Sequence, residues 1–275
     1  MQEEHIQLWA NKLERETGVQ LGKLQASHLP TQISLRMREL GLQDVDGYYA
    51  WVCNHPPEWQ ALLDRLLVKE THFFRNREVL QGVQRLVNQR IQDNTLGRNF
   101  DVWSLGCASG EEAYSLAAVL SDSYNLAPAN HYFSVTGLDI SNDALNIARS
   151  RRYHPARAAL VNPSELSRYF DRSSGQLAVK NPIANRVTFV RGNLCELNRI
   201  ANMPMDVIVC LNVLIYFRRW RRRELLNQLA SRLKPGGLLI IGSGEMPGWQ
   251  HPRLAPYALG GAQAYQLLQS SSVAD

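Results

Sequence analysis

Two kinds of hydrophobic periodicity divide this chain. Residues 5 to about 90 carry apolar side chains at helical spacing, as in Ile6, Trp9 and Leu13, and show no convincing strand pattern. From residue 100 onward, short apolar runs alternate with helical segments. Strands are predicted at 100–106, 132–138, 186–190, 205–211, 237–242 and 262–268, and helices near 110–123, 141–150, 163–170 and 220–233. This alternation predicts an α/β fold, with a mostly parallel sheet covered by helices on both faces.

The change of pattern also predicts the domain organisation. Residues 1–75 are expected to form a small all-helical domain, 76–99 a linking helix and connection, and 100–275 the larger domain. The last strand follows another without a helix between them, so we expect it to pair antiparallel at one edge of the sheet. Residues 171–185 interrupt the alternation, and a small β hairpin and a plain surface loop are both open there.

Composition narrows the class of protein. The chain has 275 residues, of which 45% are apolar and 20% charged, as in ordinary globular proteins. Its longest apolar runs are strand-length, far below the roughly 20 residues of a membrane helix. The charged amino terminus lacks the apolar region of a signal peptide. We therefore expect a cytoplasmic protein without membrane insertion.

Cysteine spacing and net charge bear on possible metal sites, disulfides and binding partners. Cys53, Cys107, Cys195 and Cys210 are scattered without a CxxC pair or neighbouring histidines, which argues against a metal site or a disulfide framework. The net charge of +5 favours acidic partners, but it does not distinguish nucleic acid from an acidic protein surface.

Residues 101–112, DVWSLGCASGEE, are the first candidate site. An apolar strand pattern passes through a turn with Gly106 and Gly110 into a helical pattern. Glycine lets a ligand approach the backbone closely, and a helix N-terminus favours anionic or polar ligands. A tight connection between a strand and a helix has the same pattern, so this stretch alone leaves both interpretations open.

Three further strand ends carry polar residues. Asp139 ends the strand FSVTGLD, Asn193 and Leu194 follow RVTFV, and Leu211 and Asn212 follow DVIVC. Each polar residue has a simpler explanation as a helix cap. Ligands of open parallel sheets bind at the carboxyl ends of strands, so the four ends together favour a cofactor site, with Asp139 placed to accept ribose hydroxyls.

Missing motifs narrow the cofactor. The chain has neither GxGxxG nor GxxxxGK[ST], so the dinucleotide and phosphate-binding patterns are not met. A ligand with ribose and adenine but no phosphate fits better, and S-adenosylmethionine is such a ligand. Its ammonium group would explain an acid at Glu111 or Glu112, although acids are also favoured in any first helical turn.

Six stretches in the same order resemble the CheR-type chemoreceptor glutamate methyltransferases, which are class I S-adenosylmethionine-dependent enzymes with a Rossmann-like fold. They are THFFR (71–75), WSLGCASGEEAYSLA (103–117), LDIS (138–141), RGNL (191–194), LNVLIYF (211–217) and LKPGGLLIIGSGE (233–245). The resemblance runs from about residue 69 to 268 and includes a helical amino-terminal domain of similar size.

The resemblance implies a set of cofactor contacts. The family positions correspond to Lys69, Thr71 and Arg75 before the sheet, Gly106 and Glu112 in the first turn, Asp139 on the ribose, Asn193 and Leu194 near the adenine, and Leu211 and Asn212 beside the sulfonium. Some members carry Asn at position 69. Leu211 replaces a usual Arg, which is harmless only if that position acts through its backbone.

The resemblance also implies the reaction. A receptor glutamate is ionised at neutral pH, with a reference pKa near 4.3, so methyl transfer to it needs alignment but no metal and no strong base. We expect Tyr216 to orient the acceptor carboxylate and Arg75 to hold it electrostatically. Packing beside Phe217 is the simpler role for Tyr216.

Two other functions remain open from the sequence: a cofactor-binding regulatory or scaffold module with weak catalysis, and an RNA methyltransferase. The basic run RRWRRR (218–223) suits a solvated helix face, an acidic receptor surface or nucleic acid. The missing RNA-binding motif argues against nucleic acid.

The expected partner is the cytoplasmic domain of methyl-accepting chemoreceptors. Because 171–185 is short, we expect no high-affinity tether to a receptor's carboxyl-terminal pentapeptide, and we expect a monomer.

Overall fold

The computed structural model describes residues 2–67 and 70–268, except the side chains of 23–25. Four helices come first: α1 (Glu3–Thr17), α2 (Lys23–Glu39), α3 (Val45–Asn54) and α4 (Pro56–Leu66). Their buried faces, including Trp9, Ile33 and Tyr48, form one apolar cluster. The α3 helix has Asp44 as its N-cap, and a proline begins α4, so local capping agrees with the periodicity. The predicted all-helical amino-terminal region is confirmed.

The helix α5 (Arg77–Gln92) leads into a seven-stranded sheet. In spatial order its strands are β6 (Val187–Arg191), β2 (Tyr132–Asp139), β1 (Asn99–Leu105), β7 (Met205–Cys210), β8 (Leu233–Gly242), β10 (Ala262–Leu267) and β9 (Leu254–Tyr257). The first five strands are parallel, and β10 pairs antiparallel with both β8 and β9. The α/β prediction and the antiparallel carboxyl-terminal strand are confirmed, although β9 lies outside β10.

The sheet has a different apolar layer on each face. The helices α6 (Glu111–Tyr124) and α5 share one layer with Phe100 and Val102 of β1. The helix α10 (Arg219–Ala230) shares the other layer with Trp103 and Leu105. Since successive strand residues point to opposite faces, the apolar residues of β1 are divided between the two layers. A third crossover helix, α7 (Asn142–Ser150), follows β2.

A small antiparallel sheet occupies the segment that the sequence left open. It consists of β3 (Arg152–Tyr153), β5 (Gln176–Val179) and β4 (Phe170–Ser173), in that spatial order. Ser174 and Gly175 join β4 to β5, and both have positive φ, as a two-residue hairpin turn of type I′ requires. Two short helices, α8 (Pro163–Tyr169) and α9 (Asn181–Ala184), flank the hairpin. The hairpin alternative is therefore the one that the structure shows.

The amino-terminal helices pack against the carboxyl ends of the parallel strands. The Ser141 hydroxyl donates a hydrogen bond to Asp64 Oδ1 over 2.6 Å, and the Gln60 amide donates to the Ile140 carbonyl over 3.2 Å. At the other end, the Gln20 backbone N–H donates to the carbonyl of Tyr216 over 2.7 Å. These contacts place α1 and α4 over the edge of the sheet where a ligand would bind.

Candidate cofactor site

The site lies where the strand order reverses. Strand β1 has β2 on one side and β7 on the other, so the chain leaves β1 and β7 in opposite directions across the sheet. This arrangement leaves a crevice at the carboxyl ends of the central strands. Gly106, Asp139 and Leu211 directly follow or end β1, β2 and β7 and border that crevice.

Two adjoining cavities fill the crevice. A polar cavity of about 180 Å³ is lined by charged and polar groups of the segments after α4, β1 and β7. An apolar cavity of about 100 Å³ is lined mostly by aliphatic side chains, including Leu66, Leu138 and Leu194. Both are bordered by Gly106, Ala108, Asp139 and Tyr216. Polar and apolar halves therefore meet at Asp139.

The first turn fits tightly against its neighbours. Gly106 has φ +66°, and a Cβ there would overlap Val213 Cγ2, so both the conformation and the space require glycine. Ala108 also has positive φ, and its N–H donates to Asp139 Oδ2 over 2.8 Å. The Ser141 N–H donates to Asp139 Oδ1 over 2.8 Å. Asp139 is thereby fixed, with its carboxylate at the border of both cavities, where an acidic group suits a ribose hydroxyl.

The two adjacent acids of the turn have different surroundings. Glu111 has 0% of its surface exposed, accepts the Ser109 hydroxyl at 2.7 Å and lies 3.8 Å from Arg157. Glu112 borders the polar cavity and accepts the Ser104 hydroxyl at 2.7 Å. Burial raises the pKa of Glu112 to about 7, although Ser104 and Arg75 act in the opposite direction. Only Glu112 is placed to meet a cationic ligand.

The segment THFFR delivers Arg75 to the polar cavity. Phe73 and Phe74 are buried, and the N–H of Phe74 donates to Ser115 Oγ of α6 over 2.9 Å. Phe74 has φ +57°, a left-handed conformation that this hydrogen bond and the burial of both rings support. Arg75 is exposed and donates to the Glu70 carbonyl over 3.1 Å, and Thr71 borders the same cavity.

Tyr216 stands at the junction of the two cavities, within the electrostatic influence of Arg75. Burial raises the pKa of the Tyr216 phenol, an effect that the positive charge of Arg75 partly offsets. The phenol therefore stays protonated at neutral pH and can donate a hydrogen bond.

Most of the predicted site residues come together in this crevice. Thr71, Arg75, Gly106, Glu112, Leu211, Asn212 and Tyr216 border the polar cavity, Leu194 borders the apolar one, and Asp139 borders both. Leu211 is buried, and its side chain also packs in the layer under α5 and α6. Lys69 lies outside the described residues.

Asn193 is the described residue that is placed differently. It faces a neighbouring groove, donates its amide hydrogen to the Glu16 carbonyl over 2.8 Å and accepts from the Cys195 N–H over 3.0 Å. These contacts hold α1 against the turn after β6. Its side chain therefore supports the wall of the site and borders neither of the two cavities.

Sequence reasoning missed the contribution of the amino-terminal helices. Thr17, Val19 and Leu21, which follow or end α1, border the apolar cavity together with Leu66 and Leu67. The signal was Gly18, whose φ is +74° and whose added Cβ would overlap Cys195 Sγ. A helix-ending glycine marks a turn, but its contact with a residue more than 170 positions away cannot be read from periodicity.

The basic run 218–223 divides into different roles. Arg218 forms a bidentate ion pair with Glu14 of α1, and Arg222 binds backbone carbonyls. Arg219, Trp220 and Arg223 are exposed. The interpretation of the whole run as a solvated face therefore holds for only part of it.

The lining of the crevice fits S-adenosylmethionine. An aliphatic cavity suits an adenine ring, a fixed carboxylate at the junction suits ribose, and the polar cavity offers Glu112 to an ammonium group. Across residues 2–67 and 70–268, no group of three or more His, Cys, Asp or Glu side chains could hold a metal ion. No helix within the same ranges has the length and apolar character needed to cross a bilayer.

The fold and the crevice define an S-adenosylmethionine-dependent methyltransferase of class I. Residues 69–254 match the SAM-binding domain of CheR methyltransferases, and residues 4–67 match the all-alpha domain of the same enzymes. The chain therefore belongs to the CheR methyltransferase family, and the predicted enzyme class and cofactor are confirmed.

Individual relatives agree with the family match. The chain is 30% identical over 247 residues to the chemotaxis protein methyltransferase of Salmonella typhimurium, covering 88% of this chain and 83% of that protein. It is 30% identical over 247 residues to the corresponding protein of Escherichia coli, with 88% and 84% covered. It is also 30% identical over 242 residues to chemotaxis protein methyltransferase 1 of Pseudomonas aeruginosa, with 85% and 86% covered.

Proposed function

We propose that this protein methylates glutamate side chains in the cytoplasmic domain of methyl-accepting chemoreceptors, producing glutamate methyl esters and S-adenosylhomocysteine. The observation that carries the proposal is that Arg75 and Tyr216 border the same polar cavity as Glu112. That cavity offers a cation and a phenol to an acceptor, and a separate carboxylate to the cofactor. The names of the three relatives support receptors as the substrate class.

The proposed chemistry uses alignment. When bound, the cofactor supplies a methyl group activated by the neighbouring sulfonium. An acceptor glutamate has a reference pKa near 4.3, so it arrives as a carboxylate and no base has to remove a proton. Arg75 attracts this carboxylate, and the protonated phenol of Tyr216 donates a hydrogen bond that orients it. Held in this way, one carboxylate oxygen would face the methyl group that the bound cofactor would supply.

The cofactor-binding roles follow from the same cavities. Asp139 would hold the ribose, Leu194 and Leu138 would pack against the adenine, and Glu112 would pair with the ammonium. Gly106, Leu211 and Asn212 would lie beside the methionine portion, close to Thr71. Asn212 has φ +59° and an exposed side chain, so its contribution is expected to come from the backbone.

We further propose that the small sheet gives no high-affinity receptor tether. Its hairpin has strands of four residues and a two-residue turn, and its other strand, β3, has two residues. Such short edges offer few backbone hydrogen bonds to an added peptide strand. Calorimetry with the carboxyl-terminal pentapeptide of a cognate receptor should show no submicromolar binding, and tight binding would contradict this proposal.

The receptor domain that we propose as substrate is cytoplasmic, so we place the protein in the cytoplasm and expect it to act there as a monomer. Size-exclusion chromatography with light scattering should give a mass near that of one 31.2 kDa chain. A mass that doubles at working concentration would contradict the monomer.

Methyl transfer tests the main proposal. The full chain is incubated with S-adenosylmethionine labelled on the methyl carbon and a purified receptor cytoplasmic domain. We expect label in the receptor that alkali releases as methanol, and no label in a receptor whose acceptor glutamates are replaced by alanine. Bound cofactor without transfer would favour the regulatory or scaffold module, and label transferred to total RNA would favour an RNA methyltransferase.

A further inference from the structure

The carboxylate of Glu245 is buried beside the catalytic crevice in a place that the proposed reaction does not explain. It follows β8, and only 4% of its surface is exposed. Its Oε2 accepts the Gly242 N–H at 2.7 Å, and its Oε1 accepts the Ile215 N–H at 3.3 Å. It forms no ion pair with any side chain among the described residues. Burying a carboxylate costs free energy unless it is well hydrogen bonded, so this position calls for a function.

The backbone around Glu245 is shaped for that carboxylate. A Cβ on Gly242 would overlap Oε2 of Glu245, so any larger residue at position 242 would displace the carboxylate from its present position. Gly244 has φ +76° and an unobstructed Cβ position, so it is there for the turn that brings Glu245 back over the end of β8. The stretch GSGE is therefore a turn that binds the carboxylate of its own Glu245 through Oε2. The other oxygen, Oε1, accepts a hydrogen bond from the segment after β7.

Arg222 binds the same segment through its backbone carbonyls. Its Nε donates to the Phe217 carbonyl at 2.8 Å, its Nη2 to the Ile215 carbonyl at 3.2 Å and its Nη1 to the Glu245 carbonyl at 2.8 Å. One guanidinium thus joins three backbone carbonyls from two segments. The rigid fork of an arginine suits this task, whereas a lysine ammonium would not reproduce its geometry.

The bonds to Glu245 and Arg222 enclose Tyr216. Ile215 is held through both its N–H and its carbonyl, and Phe217 through its carbonyl. The Tyr216 carbonyl itself accepts the Gln20 N–H from the turn after α1. Residues 215–217 lie in a short 3-10 turn and its end, and within the turn only the N–H groups of Tyr216 and Phe217 are paired, with the carbonyls of Val213 and Leu214. Side chains from outside the segment therefore supply much of its hydrogen bonding.

We infer that Glu245 and Arg222 are positioning residues that hold residues 215–217 in place, so that the Tyr216 phenol faces the acceptor carboxylate. In this role, neither Glu245 nor Arg222 contacts a reacting atom. This inference rests on the role proposed above for Tyr216. It explains two sequence features left without a role: the terminal acid of LKPGGLLIIGSGE and one arginine of the run 218–223.

The charge of Glu245 offers a readout that a purely structural role would not move. Its carboxylate raises the pKa of Glu112, secondary to burial, and that of Tyr216 as well. Glu245→Gln keeps one acceptor oxygen for the backbone but removes this charge. The pH midpoint of cofactor binding should therefore shift to lower pH in Glu245→Gln, even where the fold and the backbone contact survive.

Kinetics with the receptor domain test the positioning role. We expect Glu245→Ala and Arg222→Ala to lower kcat about 10- to 100-fold, because small displacements in an aligned site are costly. The Kd for S-adenosylhomocysteine should change about threefold or less, since neither residue borders the two cavities. Glu245→Gln should recover part of the loss, and Arg222→Lys should recover little. Arg219→Ala, an exposed neighbour on the same helix, is the control and should leave kcat unchanged.

A double substitution tests whether the effect acts through Tyr216. In a Tyr216→Phe background, adding Glu245→Ala should lower kcat by much less than it does in the wild type, because coupled residues are not additive. Fully additive losses, or an unchanged kcat in folded Glu245→Ala and Arg222→Ala, would overturn the inference.

Hydrogen exchange separates this inference from the proposed function, since it needs no receptor. The Ile215 amide should exchange faster in Glu245→Ala and retain protection in Glu245→Gln. If this holds while the wild type transfers no methyl group to receptors, the proposed function fails and the backbone contact stands. If the wild type methylates receptors but the Ile215 amide exchanges equally fast in the wild type and in Glu245→Ala, the positioning role is contradicted and the proposed function stands.

Discussion

The Ser104 hydroxyl donates a hydrogen bond over 2.7 Å to Oε1 of Glu112, the carboxylate that borders the polar cavity. This hydrogen bond stabilises the ionised form of Glu112 and so acts to lower its pKa. Burial nevertheless raises the pKa of Glu112 to about 7, so its charge changes within the physiological range.

The affinity for S-adenosylmethionine should therefore depend on pH. An ammonium group prefers ionised Glu112, so binding is favoured above pH 7 and weakens as pH falls through the pKa of the free protein. We expect Kd to rise by up to about tenfold per pH unit below that point. Calorimetry at intervals of about half a pH unit, between about pH 5.5 and 8.5, measures this dependence of Kd. Glu112→Gln should bind weakly at every pH and show a flat profile, and an unchanged slope in that variant would assign the titration to another group.

The same pKa has a consequence for stability. The folded pKa lies above the ordinary value of 4.5, so the contribution of Glu112 is fully present below pH 4.5 and is lost as pH rises through about 7. Relative to Glu112→Gln, the wild type should therefore lose about 1–3 kcal/mol of unfolding free energy between pH 5 and 8. Urea unfolding without cofactor at both pH values measures the difference. Parallel pH dependences for the two proteins would contradict it.

Gly175, in the hairpin between β4 and β5, is a matched control for substitution of Gly106 in the turn after β1. Both have positive φ, near +66° and +75°, but an added Cβ would overlap Val213 at position 106 and meet nothing within 4 Å at position 175. Gly175→Ala should cost about 1–2 kcal/mol from backbone strain alone. Gly106→Ala should cost about 3 kcal/mol or more and weaken cofactor binding, because the overlap adds to the strain. Equal losses of unfolding free energy in the two variants would show that the close approach is unimportant.

Asp139 could be recognised from the sequence, because topology decides its place. A strand that ends in an acid must present it at the carboxyl edge of a parallel sheet, wherever the neighbouring strands lie. Gly106 and Leu211, which follow the strands β1 and β7, also lie at the crevice in the structure, and their roles toward the cofactor stay predictions. The reasoning from strand ends could not show that Asn193, at an equivalent strand end, would turn toward Glu16 instead. That choice depends on α1, which is more than 170 residues away.

The missed parts of the fold have physical reasons. Strand β9 has four residues and contains Pro256, a poor strand former that an outermost strand tolerates. Val19 and Leu21 border the apolar cavity only because α1 docks on the sheet, a contact that no local pattern encodes. The predicted domain boundary at residue 75 stays a prediction, as does the role of Lys69.

Substitution of Asp139 should reduce cofactor affinity more than it reduces stability. Asp139→Ala removes the acceptors proposed for ribose, and hydrogen bonds to a charged group are worth about 1.5–3 kcal/mol, so Kd should rise about 10- to 100-fold. It also leaves the N–H groups of Ala108 and Ser141 without this acceptor. Asp139→Asn keeps one acceptor oxygen, so its Kd should lie between those of the wild type and Asp139→Ala. Kd from calorimetry and unfolding midpoints from the same samples separate the effects, and near-normal affinity in folded Asp139→Ala would contradict the ribose role.

Asp64 links the amino-terminal helices to the cofactor site, and removing its carboxylate should affect both. Asp64 is buried, accepts the Ser141 hydroxyl at 2.6 Å and the Gln60 amide at 3.2 Å, and Ser141 borders the apolar cavity. Asp64→Ala leaves buried donors unsatisfied, which should cost about 1–3 kcal/mol of unfolding free energy.

The exposed Asp46 provides the control for this substitution. It pairs with His5 at the surface, where such pairs contribute about 0–1 kcal/mol, so Asp46→Ala should be nearly neutral. Because α4 borders the apolar cavity through Leu66, a loosened contact at Asp64 should also raise the Kd for S-adenosylmethionine. Asp46→Ala should leave that Kd unchanged. Loss of stability without any change in Kd would show that α4 can shift at Asp64 without disturbing the cofactor site, and the apolar cavity would then depend on α1 and the strand ends alone.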